Sequence, residues 1–151
     1  MKPFQFSLNT VLDVRSNEEQ AAREVYSQAQ EVLETVLLQR RALEEAIESN
    51  LAACQQAFDG QVASGTIAHL QTALRELRAQ VESMEPEVQK CQEEADAKWQ
   101  LLLQASQRRE ALEKLKDKQQ TAHLKEEARS EQQAIDEMVL LREAAGLAQK
   151  L

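Results

Sequence analysis

The chain has 151 residues, with 18 basic against 26 acidic side chains for a net charge of −8, and three Phe, one Tyr and one Trp. So few aromatics exclude a compact core built on large rings, and the acidity excludes nucleic acid as the main partner, because phosphate binding needs clustered Lys and Arg. Charged residues at 29 % and aromatics at 3 % are the bias of coiled coils and long helices, and the strict apolar period described below excludes disorder.

The opening Met1-Lys2-Pro3-Phe4-Gln5-Phe6 is followed by polar residues, where a secretory signal would carry an apolar core. No apolar run approaches the roughly 18 residues that span a bilayer. Pro3 suits a position before or in a first helical turn, and Ser7 or Asn9 suits the cap. Apolar residues then recur at Leu8, Leu12, Ala22, Val25, Ala29, Val32, Val36, Leu43, Ile47, Leu51, Cys54 and Phe58. Steps of three, four and seven put them on one helical face. Between Ala22 and Val36 that face is built of small residues, which lets a partner helix approach closely and makes a slim shaft.

One stretch reads as a turn, residues 58–66, which holds Gly60 and Gly65, two of the three glycines. Beyond it Ile67, Leu70, Leu74, Leu77, Val81, Met84, Val88, Cys91 and Ala95 alternate steps of three and four without a miss, a strong heptad signal. Each larger aliphatic buried against a partner helix contributes roughly 1.5–3 kcal/mol. Trp99, Leu102, Leu112 and Leu115 carry the stripe onward less regularly. Residues 116–134 are polar nearly all round, so they either fray or rest on another protein. Ile135, Met138, Val139 and Leu141 follow, and Gly146 suits the helix end.

Pro86 falls inside the regular ladder, where it removes a backbone hydrogen bond and crowds the preceding turn. The unbroken heptad phase favours a kink there, but helix lengths favour a hinge. At 1.5 Å per residue, residues 5–58 span about 80 Å and 66–145 about 120 Å, so a single hairpin would leave roughly 40 Å of the second arm unpaired. If 66–85 folds as a separate middle segment, the arms 5–58 and 87–145 match. The expected fold is therefore all-α: a long antiparallel two-helix coiled coil, one elongated domain over residues 1–151, with a short middle helical segment between the turn and Pro86.

Nothing in the chain reads as catalytic. His69 and His123 stand far apart without ligand spacing, and both are expected to face solvent. Gly60 and Gly65 are not followed by the Lys-Ser or Lys-Thr of a phosphate loop. Cys54 and Cys91 lie at apolar helix positions and read as free, buried thiols. The cluster Arg108, Arg109, Lys114, Lys116 and Lys118 is interleaved with Glu110, Glu113 and Asp117, as in a solvated face with an i,i+4 pair from Glu110 to Lys114. Tyr26 and Trp99 read as seam or edge residues. No enzyme activity, cofactor, metal or small-molecule substrate is expected.

Both ends carry a pattern. Phe4-x-Phe6-x-Leu8-x-x-Val11-Leu12-x-x-Arg15-x-x-Glu18-Glu19 resembles the opening of the FliJ family of flagellar export proteins. Arg109-x-x-Leu112-Glu113-x-Leu115, then Glu131-Gln132-x-x-Ile135-Asp136-Glu137 to Arg142, resembles its close, where a leucine more often precedes Asp-Glu. The resemblance covers nearly the whole chain and departs from a smooth family helix at Pro86. It implies a non-enzymatic component of the bacterial flagellar type III export apparatus, cytoplasmic and peripheral to the inner membrane. It implies an antiparallel coiled coil similar to the central stalk of rotary ATP synthases. Its partners would be the export ATPase ring, the cytoplasmic part of the export gate membrane protein and, in some members, export chaperones.

In the stalk analogy the chain ends lie together and enter the ring, so Phe4, Phe6, Leu8, Leu12 and Arg15 should meet Asp136, Glu137 and Arg142. Segment 66–85 would then offer Leu70, Ala73, Leu74, Leu77, Val81 and Met84 to the gate, and charge at Leu70 and Leu77 should abolish gate binding while sparing ATPase binding. Other readings are the equivalent stalk of a virulence-type secretion injectisome and a homodimeric coiled-coil scaffold paired between chains. A third is a holdase chaperone that uses 116–134 as its client surface.

Overall fold

The structure is a computed structural model, and it describes residues 2–60 and 63–149. Two helices account for nearly all of it: α1, Asn9–Asp59, with 51 residues, and α2, Ser64–Gln149, with 86 residues. No strand occurs among the described residues. The chain divides into two compact units, one of Met1–Glu19 with Ala105–Leu151 and one of Gln20–Gln104. In each, a stretch of α1 packs antiparallel on a stretch of α2, so the fold is the expected all-α, two-helix coiled coil. Gln61 and Val62, in the middle of the expected turn, lie outside the described residues.

The face that α1 turns inward is a ladder of steps of three and four: Leu12, Arg15, Glu19, Ala22, Tyr26, Ala29, Leu33, Val36, Arg40, Leu43, Ile47, Asn50, Cys54 and Ala57. Every one of these is buried or half-buried. This corrects the expected seam, since Leu8, Val25, Val32, Leu51 and Phe58 are exposed. The helical period, not apolarity alone, decides which residues face inward, and Tyr26 and Leu33 take the places assigned to Val25 and Val32. On α2 the expected ladder from Ile67 to Ala95 is buried or half-buried throughout. It continues through Lys98, Leu102, Ala105, Arg109, Leu112 and Lys116, whereas Trp99 and Leu115 are exposed.

In the unit Gln20–Gln104, Val36, Val88 and Cys91 form a buried cluster, with Leu33, Leu37 and Met84 packed against it. Arg40 reaches across to Glu85 at 3.3 Å, and the Tyr26 and Trp99 rings meet at 5.2 Å between centroids. Cys54 and Cys91 are both free and buried, and the Cys54 thiol donates to Asn50 Oδ1 at 3.5 Å.

The separate middle segment is absent. α2 runs unbroken through Pro86. The reason is packing: on one side of Pro86 Val88 joins Val36 of α1 in the buried cluster, and on the other Met84 packs against that cluster, so the heptad phase is held on either side of it. Pro86 itself is exposed, as is Glu82, whose carbonyl loses the helical bond and faces water instead. Leu70, Ala73, Leu74, Leu77, Val81 and Met84 are accordingly half-buried seam residues, not an unpaired surface. Gly146 does not end the helix, which continues to Gln149.

Candidate partner-binding surfaces

In the unit that holds both termini, residues 2–6 run as non-helical chain into α1, and the Asn9 N–H donates to the Phe6 carbonyl at 3.1 Å. Phe6 and Leu12 are buried, and Phe4 is half-buried against His123 with ring centroids 5.6 Å apart. His123 is therefore not the solvent-facing residue expected from sequence; it also sits 3.8 Å from Glu127. Arg15 is half-buried and pairs with Glu18 at 3.0 Å. Leu8 is exposed.

These contacts fix which part of α2 the N-terminus meets, and it is not 136–142. Phe4 stops at His123, about 20 Å short of Asp136 along the helix. Asp136, Glu137 and Arg142 are all exposed; Asp136 accepts from Gln132 at 3.0 Å. The expected convergence of the two ends is corrected: the surplus length of α2 is left projecting past the N-terminus, because no middle segment absorbs it.

The projection is the feature that sequence reasoning undervalued. From Ala128 to Gln149, about 33 Å of helix, every residue is exposed. Met138, Val139, Leu140 and Leu141 are consecutive, so steps of 100° aim them to all sides of the helix. Leu140 is 64 % and Leu141 70 % exposed, and Ile135 and Leu147 extend the apolar surface. A helix apolar all round is stable only when covered on all sides. Arg129 and Arg142 against Glu131, Asp136, Glu137 and Glu143 leave this stretch net acidic.

The other charged feature lies in the seam. Arg109 donates to the buried Glu19 carboxylate on α1 and, at 2.6 Å, to Glu113 on its own helix. These two hydrogen bonds, Glu19 first, raise the guanidinium above its ordinary range, so it stays charged. Glu110 also lies 3.8 Å from Arg109, so Glu19, Glu110 and Glu113 all gather on this arginine. Sequence reasoning placed Arg109 on a solvated face; the unbroken ladder from Leu102 through Ala105 would have placed it in the seam.

Among the described residues no group of three His, Cys, Asp or Glu could hold a metal ion, and no helix is long and apolar enough to cross a membrane.

The model of the flagellar FliJ protein family matches residues 4–145. The chain belongs to the FliJ family. The matched span takes in both ends of the pattern, Phe4 and Arg142, and the family is one of non-enzymatic export components. Among solved structures, the fold is similar to that of CT670 from Chlamydia trachomatis, described as a YscO homologue. The TM-score is 0.59 at 22 % identity, over 92 % of this chain and 94 % of the other. No curated protein matched this FliJ-family chain.

Proposed function

We propose that this FliJ-family protein is a non-enzymatic stalk of the flagellar type III export apparatus, working in the cytoplasm at the inner membrane. Its C-terminal projection docks in the export ATPase ring. The observation that carries this reading is the projection itself: a net acidic helix whose turn Met138–Leu141 is apolar on every side and which no other described residue covers. A flat partner covers one stripe of such a helix, whereas an annular socket covers all of it. Phe4, Phe6, Leu12 and Arg15 then act at the collar where the projection begins, by holding α1 to α2, and Asp136, Glu137 and Arg142 belong to the inserted part.

The stretch 66–85 addresses the cytoplasmic part of the export gate membrane protein, and export chaperones are further clients. Leu70, Ala73, Leu74, Leu77, Val81 and Met84 keep partial exposure, so a gate contact there would use side chains that also hold the two helices together. A stalk of a virulence-type injectisome would share this architecture; the family match favours the flagellar one.

The test is a truncation. The chain ended after Ser130 should keep the paired helices and lose binding to the export ATPase of the same organism, measured by calorimetry. Unchanged affinity of the truncated chain would contradict the reading.

A further inference from the structure

We infer that the α2 face formed by Lys114, Lys118, Lys125 and Arg129 is a second contact of the docking end, made to a row of carboxylates on the protein that takes the projection. The four side chains are exposed and follow steps that keep them on one side of the helix, about 22 Å from first to last. That side is opposite the seam, which the half-buried Lys116 and His123 mark at this level. Within a chain of net charge −8, residues 114–129 hold five basic against three acidic residues. None of the four cations has an ion-pair partner among the described residues, because the nearby carboxylates are engaged elsewhere: Glu110 and Glu113 with Arg109, and Glu127 with His123.

The arrangement works against the free chain. Lys114 with Lys118, and Lys125 with Arg129, are like charges at i,i+4, which destabilises a helix. No anion on that face offsets it. Between the two pairs the small Thr121 and Ala122 leave a shallow hollow, with Asp117 at its edge paired to neither lysine. Anions laid along the face would neutralise both pairs at once. Position says which partner brings them. The row ends at Arg129 and the uncovered part of α2 begins at Ala128, so a body that encloses 131–149 sets its lip against this face. That step rests on the docking proposed above. An anionic lipid surface fits less well. Only Thr121 and Ala122 lie between the cation pairs, so nothing apolar inserts, and 131–149 holds four acidic residues against one basic, which such a surface repels.

The experiment titrates the export ATPase of the same organism with the full native chain and with a variant carrying Lys114→Gln, Lys118→Gln, Lys125→Gln and Arg129→Gln. Glutamine is a good helix former and all four sites are exposed, so the variant keeps the fold. At about 50 mM salt the variant should bind about tenfold more weakly, and native affinity should fall by a similar factor on going to about 300 mM, while the variant barely responds. The melting temperature of the free variant should be equal or higher, since two like-charge pairs are gone, so affinity and stability move in opposite directions. A variant with native affinity and native salt response would overturn the inference. Loss of binding by the chain ended after Ser130, in the same titration, would then leave the docking of the projection standing without it. A native chain that does not bind the ATPase overturns both. Binding of the native chain to phosphatidylglycerol vesicles, lost in the variant while ATPase affinity is unchanged, would overturn the inference by giving the face to a membrane.

Discussion

Replacing Leu140 and Leu141 together by aspartate is expected to weaken binding to the export ATPase by about 100-fold or more, with helicity and melting temperature unchanged. Each leucine buried in an interface contributes roughly 1.5–3 kcal/mol, and about 1.4 kcal/mol is already a tenfold change in affinity. A socket that is apolar where these residues sit would also have to desolvate two carboxylates. The free chain does not feel the change, because both side chains are more than half exposed and touch no second helix. Calorimetric titration against the ATPase, paired with thermal melts of the free variant, separates the two effects. A melting temperature that falls with the affinity would place these leucines in the fold and not in an interface.

Pro86→Ala is expected to stabilise the chain. α2 runs through Pro86, which means the helix bears a residue that costs about 3 kcal/mol relative to alanine in a helix interior. Alanine restores the N–H that bonds to the Glu82 carbonyl and removes the ring from that turn. Pro86 is exposed, so the change disturbs no packing. A gain of about 2–3 kcal/mol corresponds to a rise in melting temperature of roughly 5–10 °C for a chain of this size. Equilibrium urea unfolding measures it directly. An unchanged midpoint would mean the turn before Pro86 already carries no strain, and a lower one would mean that Pro86 performs a bend which the Met84 and Val88 contacts require.

The α2 ladder from Ile67 to Ala95 was fully legible in sequence because every position is apolar and the steps never miss. The α1 ladder was not, because Arg15, Glu19, Tyr26, Arg40 and Asn50 occupy seam positions while Val25, Val32, Leu51 and Phe58 sit off the seam. A narrow coiled-coil seam tolerates amphipathic side chains that bury their stems and keep their heads wet, so polarity is a poor guide there. Following the steps of three and four regardless of residue type would have recovered it.

Helix lengths point to a hinge at Pro86, and local backbone chemistry disfavours proline in a helix interior. The Val36–Val88–Cys91 cluster, flanked by Met84, overrides that preference, and the local sign of it is the heptad phase that runs unbroken through Pro86. The surplus of α2 was visible in the length arithmetic. Its placement was missed because the arms were assumed to end together, whereas Phe4 against His123 shows where the N-terminus stops. The family itself was legible from the Phe4-x-Phe6 opening and the Asp136-Glu137 close, and the match over residues 4–145 bears it out.

The most direct measurement is backbone hydrogen exchange along the full chain, free and in complex with the export ATPase. In the free chain, amides of 131–149 should exchange fast, since no tertiary packing holds that stretch, while those around Val36 and Val88 exchange slowly. Binding should slow exchange throughout 131–149, with no comparable change at 66–85. Protection confined to 66–85, with 131–149 as fast as in the free chain, would contradict the claim that the projecting end of α2 is where this protein docks.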